Sequence, residues 1–162
     1  MNNLERKEII PENIGIALKL ISTHCPTAVI GGSVALNAVG LLNREVHDID
    51  IFIGKHESLN KCGLQSISSF NEEDELSSTV TNINGEEIQR TAIRINGIKC
   101  CVFKVNAKEL EHSVNKLHDI NVKIQSVNYA LMAKIYYCEH NTYGTTKHLV
   151  DLTEVNNLLK SF

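Results

Sequence analysis

The chain has 162 residues, of which 43% are hydrophobic, 22% charged and only two are proline, an ordinary globular composition that excludes a disordered, collagen-like or linker-rich protein. With 16 basic against 19 acidic residues the net charge is −3, too near neutral for the electrostatic footprint of a duplex-binding protein. Five cysteines, an odd number without CxxC spacing, argue against a disulfide framework or a paired-knuckle zinc site and fit reduced thiols in a cytoplasm. The first residues mix both charge signs, and Ala28–Leu42 is too short and too interrupted by Gly31, Gly32, Ser33 and Asn37 to span a bilayer, so neither a signal peptide nor a membrane partner is expected.

No internal repeat or linker divides the chain, and one domain over residues 1–162 is expected, with a core sheet in 27–105 and a mainly helical tail in 106–162. Pro11 opens an amphipathic helix in which Ile14, Ala17, Leu18 and Ile21 recur at helical spacing until Cys25-Pro26. Thr27–Ile30 reads as a short strand, Gly31-Gly32-Ser33 breaks it, and Val34–Leu42 reads as a helix with Ser33 near its N-cap. In Asp48–Ile53, strict alternation predicts a strand with Ile49, Ile51 and Ile53 on one face and Asp48 and Asp50 on the other. Asn84-Gly85 and Asn96-Gly97 predict tight antiparallel hairpins in 63–105, and Glu72-Glu73-Asp74-Glu75 reads as a solvated loop. The tail reads as a weak helical segment near 107–118, a strand Val122–Gln125 and a helix Val127–His140. A last helix over Thr146–Leu159 places Leu149, Leu152, Val155 and Leu159 on its apolar side. The class is α+β: a small mixed sheet flanked by helices.

Two of these elements supply complementary chemistry. The glycines of Gly31-Gly32-Ser33 let a backbone approach phosphate oxygens, and the helix that follows presents unpaired N–H groups. Asp48 and Asp50, at i and i+2 on one strand face, point the same way and offer hard oxygen ligands to Mg²⁺ or Mn²⁺. The seven histidines form no HExxH set, so zinc is not expected. His47 reads as a solvent or structural residue, and Tyr129, Tyr136 and Tyr137 as core or groove residues.

Ala28–Val39 and Arg44–Ile53 resemble the polymerase-β-type nucleotidyltransferases, in particular the small bacterial and phage-type members that include antibiotic-modifying enzymes and toxins. The resemblance implies a sheet of that type, an NTP held at Gly31, Gly32 and Ser33, and divalent metals held by Asp48 and Asp50, the catalytic pair. Arg44 is similar to a basic residue often found before that pair, and Lys134 and Lys147-His148-x-x-Asp151 to basic and acidic positions on the family's trailing helices. It further implies transfer of a nucleoside monophosphate to an unidentified small-molecule, protein or RNA acceptor, with an antitoxin-like protein or an RNA as partner.

The chain departs from the family at the third carboxylate, since Ile98–Phe103 contains no acid and Cys101 occupies the matching parity. A thiol is a poor ligand for Mg²⁺. A two-residue turn at Asn96-Gly97 pairs Arg94 with Lys99, Ala92 with Cys101 and Arg90 with Phe103, so Arg90, Arg94 and Lys99 surround Cys101 on a face that is either ordinary solvated sheet or a substrate-binding wall. Three readings stay open: an active enzyme, an inactive nucleotide-binding or interaction module, and a subunit completed by a partner.

Overall fold

The computed structural model describes residues 10–69, 77–82, 84–139 and 145–160, and in the last two helices it describes side chains for 127–136 and 149–157. The acidic run at 72–75 and the side chains of Tyr137, Lys147 and His148 lie outside the described residues. Helix α1 (Glu12–His24) begins one residue after the extended Pro11 and buries Ile14, Ala17, Leu18 and Ile21. Strand β1 (Val29–Gly31) runs directly into helix α2 (Gly32–Ala38), which is shorter than the periodicity predicts. Gly40 turns the chain at φ +82°, and the buried Asn37 amide donates to Leu42 O at 3.0 Å, so side-chain bonding replaces another helical turn.

Strand β2 (Asp48–Gly54) alternates as its sequence demands, with Ile49, Ile51 and Ile53 buried and the residues between them half-buried. Short helices α3 (Leu59–Cys62) and α4 (Leu64–Ile67) lead to β3 (Ser68–Ser69), followed by β4 (Ser77–Thr81), β5 (Glu87–Ile95) and β6 (Ile98–Val105). A 3-10 turn (Ala107–Leu110) precedes β7 (His112–Leu117), β8 (Ile120–Gln125), helix α5 (Val127–Glu139) and helix α6 (Thr145–Lys160). The strands form one mixed sheet in the order β3-β5-β6-β2-β1-β8-β7, with β4 also paired to β5. β2 is antiparallel to β1 and parallel to β6, and β8 is parallel to β1.

One face of this sheet is apolar. Ile30, Ile49, Ile51, Ile93, Cys100, Val102 and Ile124 are buried there with the apolar side of α1 in a single core. The opposite face carries Asp48, Asp50, Phe52, Cys101 and Phe103, and α5 lies across part of it. Among the described residues no helix is long and apolar enough to cross a membrane.

The Asn96-Gly97 hairpin has the register expected of a two-residue turn: Ile95 pairs with Ile98, Arg94 with Lys99, Ala92 with Cys101 and Arg90 with Phe103. Three expectations are corrected. Residues 107–118 are a 3-10 turn and an edge strand instead of a helix, so the tail holds a hairpin as well as helices. Ala107–Leu110 is rich in helix formers, but the following segment turns back through His118 and Asp119, both at positive φ, to pair with β8. Asn84-Gly85 is not a two-residue hairpin: pairing stops at Thr81 with Glu87, and Asn82 organises the wider loop by accepting from the backbone N–H groups of Asn84 and Glu86 at 3.0 and 2.9 Å. Leu149 is 58% exposed and so leaves the expected apolar side of α6, on which Val155 is buried and Leu152 half-buried, while the Leu159 side chain lies outside the described residues.

The two faces predict different mutational costs. Ile51→Ala in the central strand should lose about 2–5 kcal/mol in urea unfolding, whereas Val114→Ala on the exposed edge strand should change stability by under about 0.5 kcal/mol.

Candidate active site

The site forms where β1 meets β2. Gly31 pairs with Asp50 across the antiparallel ladder, and the chain then turns at Gly32, whose φ is +58°. A Cβ on Gly32 would collide with Asp50 Oδ2, and one on Gly31 with Phe52 Cε2 and Gln125 Oε1. Only glycine allows the backbone at the start of α2 to lie directly against the carboxylate. Asp48 and Asp50 share one strand face, about 6.6 Å apart along β2 by strand geometry. Their parallel neighbours on β6 are Lys99 and Cys101.

Cys101 therefore stands beside Asp50, where the sequence register puts it. Its Sγ lies 3.0 Å from Arg90 Nη2, which donates to it. Burial raises the Cys101 thiol above its ordinary value, the Asp50 charge raises it further, and Arg90 and Lys99 oppose the shift without reversing it. Cys101 is consequently a protonated thiol at neutral pH and supplies no third hard ligand. Cys100, on the core face, is pushed up to about 12, chiefly by burial. Arg94, farther along β5, donates Nη1 to Gly97 O at 3.1 Å.

A buried ion-pair network backs this turn. Asp151 on α6 has no solvent exposure and is shared by two cations. Arg44 donates Nε to Oδ1 at 2.6 Å and Nη2 to Oδ2 at 3.0 Å, and Lys134 on α5 donates Nζ to Oδ2 at 2.7 Å. Arg44 Nη2 also donates to Ser33 Oγ at 2.6 Å. Burial pushes the Asp151 carboxyl up, but the hydrogen bonds and charges of Arg44 and Lys134 outweigh it and hold the group below the usual carboxylate range. Of the sequence candidates, Lys134 lines the cleft with Gly32 and Asp50, while Arg44 bonds the Ser33 hydroxyl and lies close enough to Asp48 to feel its charge. His47 is exposed.

The cleft that Gly32, Asp50 and Lys134 line continues past Asp50 to Phe52, Phe103, Asn82, Glu109, Gln125 and Tyr129. The Phe52 and Phe103 rings stack at 5.1 Å with planes 17° apart. Glu109, 5% exposed, accepts from Asn82 Nδ2 at 2.7 Å, and burial raises its carboxyl above the ordinary range despite that hydrogen bond. Sequence reasoning missed this extension. The shared parity of Asp50 with Phe52 and of Cys101 with Phe103 was a usable signal, but Glu109, in a run of helix-forming residues, carried none.

Among the described residues no group of three or more His, Cys, Asp or Glu is arranged to hold a metal ion. Two carboxylates nevertheless fit Mg²⁺, which commonly takes one or two from protein and the remainder from phosphate and water. A side chain at position 32 would fall on Asp50 Oδ2, so glycine there keeps the turn's own side chain off that oxygen.

No protein-family model matches the chain, and no curated protein matches it in sequence. A solved Thermotoga maritima protein, provisionally described as a nucleotidyltransferase, is similar in structure. The TM-score is 0.56, at 15% identity, covering 85% of this chain and 94% of that one. The fold is thus nucleotidyltransferase-like.

Removing the shared counter-ion should separate the network from the rest. Asp151→Asn leaves the buried Lys134 and the half-buried Arg44 competing for a neutral amide and should cost about 3–5 kcal/mol at pH 7. Because the folded carboxyl lies below its ordinary value of 3.8, its contribution is complete above that pH and is lost as pH falls through the lower folded value. Urea titrations of both proteins across pH 2–7 should show the deficit narrowing only at the acid end.

Proposed function

We propose that the protein is a Mg²⁺- or Mn²⁺-dependent nucleotidyltransferase of the polymerase-β type that moves a nucleoside monophosphate from an NTP to an acceptor hydroxyl. The observation that supports this reading is the closeness of the Gly32 backbone to the Asp50 carboxylate, a glycine turn that could approach phosphate beside an acid that could hold a metal. Asp48 and Asp50 would hold the metal, whose chemistry when bound is to neutralise charge on the phosphates. Gly32, Ser33 and the start of α2 would cradle the triphosphate, and Lys134 would add positive charge at the cleft wall. The acceptor oxygen attacks the α-phosphorus, the bond to the bridging oxygen breaks, pyrophosphate leaves and the acceptor proton passes to solvent. Arg90 and Lys99, beside Cys101 and Asp48, form the wall nearest an incoming acceptor.

The thiol at position 101 favours a second reading, a module that binds the nucleotide without turning it over. Incubation with each labelled NTP, either metal and candidate acceptors separates the two, since only the enzyme transfers label. Both readings require metal-dependent binding. At about a hundredfold above Kd an NTP with Mg²⁺ should stabilise the wild type by about 2.7 kcal/mol in thermal unfolding, and the Asp48→Asn, Asp50→Asn double variant should show none of that shift while remaining folded. If the wild type shows no shift with any NTP, nucleotide binding is refuted.

Position 101 gives a further prediction. Arg90 already reaches it, so an introduced carboxylate would be held ionised next to Asp50. Cys101→Asp should raise Mg²⁺ affinity and label transfer several-fold, and Cys101→Ser should leave both within about twofold. Loss of a strong wild-type activity in Cys101→Ser would instead assign chemistry to the thiol.

A further inference from the structure

The cleft changes character beyond the acids. Two residues along β2 from Asp50, about 6.6 Å in strand geometry, the carboxylate surface gives way to the stacked rings of Phe52 and Phe103. That distance leaves room for one ribose between a phosphate at Asp50 and a planar group on the rings. Tyr129 of α5 lines the same end of the cleft, together with a polar group: Asn82, Glu109 and Gln125 are 4%, 5% and 5% exposed.

One carboxylate dominates that group. Asn82 turns its amide nitrogen onto Glu109 Oε1 at 2.7 Å, and Gln125 turns its own onto Glu109 O at 3.0 Å. The Asn82 oxygen is occupied by two backbone N–H groups. Asn82 takes one of the roughly four lone-pair sites that a carboxylate offers. Each amide keeps a second N–H, and the one charged group this cluster offers a ligand is the Glu109 carboxylate, whose remaining lone pairs call for donors from whatever enters.

We propose that this end of the cleft is a nucleobase pocket selective for guanine, with the base on the Phe52–Phe103 pair and its N–H edge on Glu109. The proposal rests on the reading of the site as an NTP site. Guanine presents a ring N–H and an exocyclic amino group side by side, so both can donate to one carboxylate. Adenine and cytosine place a single amino group next to a ring acceptor that would face the carboxylate. Uracil places its single N–H between two carbonyls. A site built on buried hydrogen-bonding groups discriminates steeply against ligands that leave those groups unmatched.

The test is calorimetric titration of the wild-type protein with GTP, ATP, CTP, UTP and inosine triphosphate in Mg²⁺. GTP should bind at least about tenfold more tightly than the other three natural nucleotides, and inosine triphosphate, which lacks only the exocyclic amino group, about tenfold more weakly than GTP, as expected for one bond in a bidentate pair. Glu109→Gln should reduce the preference for GTP over the other nucleotides at least about tenfold, and Phe103→Leu should weaken all of them alike. The inosine comparison needs no variant and so does not depend on Glu109→Gln folding. Equal affinities for the four natural NTPs, or no difference between GTP and inosine triphosphate, overturn the pocket and leave the NTP site standing. Absence of binding by every nucleotide overturns both.

Discussion

A carboxylate without solvent contact must be matched by positive charge, and in this protein the matching of Asp151 determines where several other groups can be. Its two oxygens bring together Arg44 from the link before β2 and Lys134 from α5. Arg44 in turn fixes the Ser33 hydroxyl. The turn at Gly31-Gly32-Ser33 is thereby held from behind by charge, while its front lies against Asp50. Such a buried trio contributes less net stability than its Coulomb attraction suggests, because each ion first loses its hydration. Its value here is geometric: the cation on the cleft wall and the hydroxyl on the glycine turn share one anchor.

The sheet supplies the rest of the site through strand parity. Alternation along β2 sends three isoleucines into the core and two aspartates and a phenylalanine to the other face. The parallel partner β6 repeats the arrangement, with Cys100 and Val102 inward and Lys99, Cys101 and Phe103 beside Asp48, Asp50 and Phe52. Core and site thus use the same two strands, and a one-residue slip in either would exchange them. Acid chemistry at one end and aromatic surface at the other follow from one repeated alternation.

The sequence made local patterns legible and left tertiary ones obscure. The parity of Asp48 and Asp50, the glycine turn before α2 and the Asn96-Gly97 register all depend on neighbouring residues, and each was readable. The strand at 112–117 was not, because its residues are mostly exposed and show no apolar alternation, and its pairing is decided by β8 lying on β1. Asp151 could be matched to a family pattern, but its role as a shared counter-ion depends on a cation 107 residues away. Glu109 was invisible for a related reason: its burial comes from Asn82 and Gln125, which reach it from two other parts of the chain.

The sequence separations in the charged network differ widely. Ser33 and Arg44 are 11 residues apart and Lys134 and Asp151 are 17 apart, whereas Arg44 and Asp151 are 107 apart. The entropy of closing a loop grows with the logarithm of its length, and the longest of these loops is roughly ten times the shortest, so closing it costs about 2 kcal/mol more. The network is therefore two short-range halves joined by one expensive closure, and topology of this kind places such a contact late in folding. Until it closes, the strand-borne carboxylates and the helix-borne lysine belong to separate pieces of chain, and a ligand that touches both stabilises the closed form.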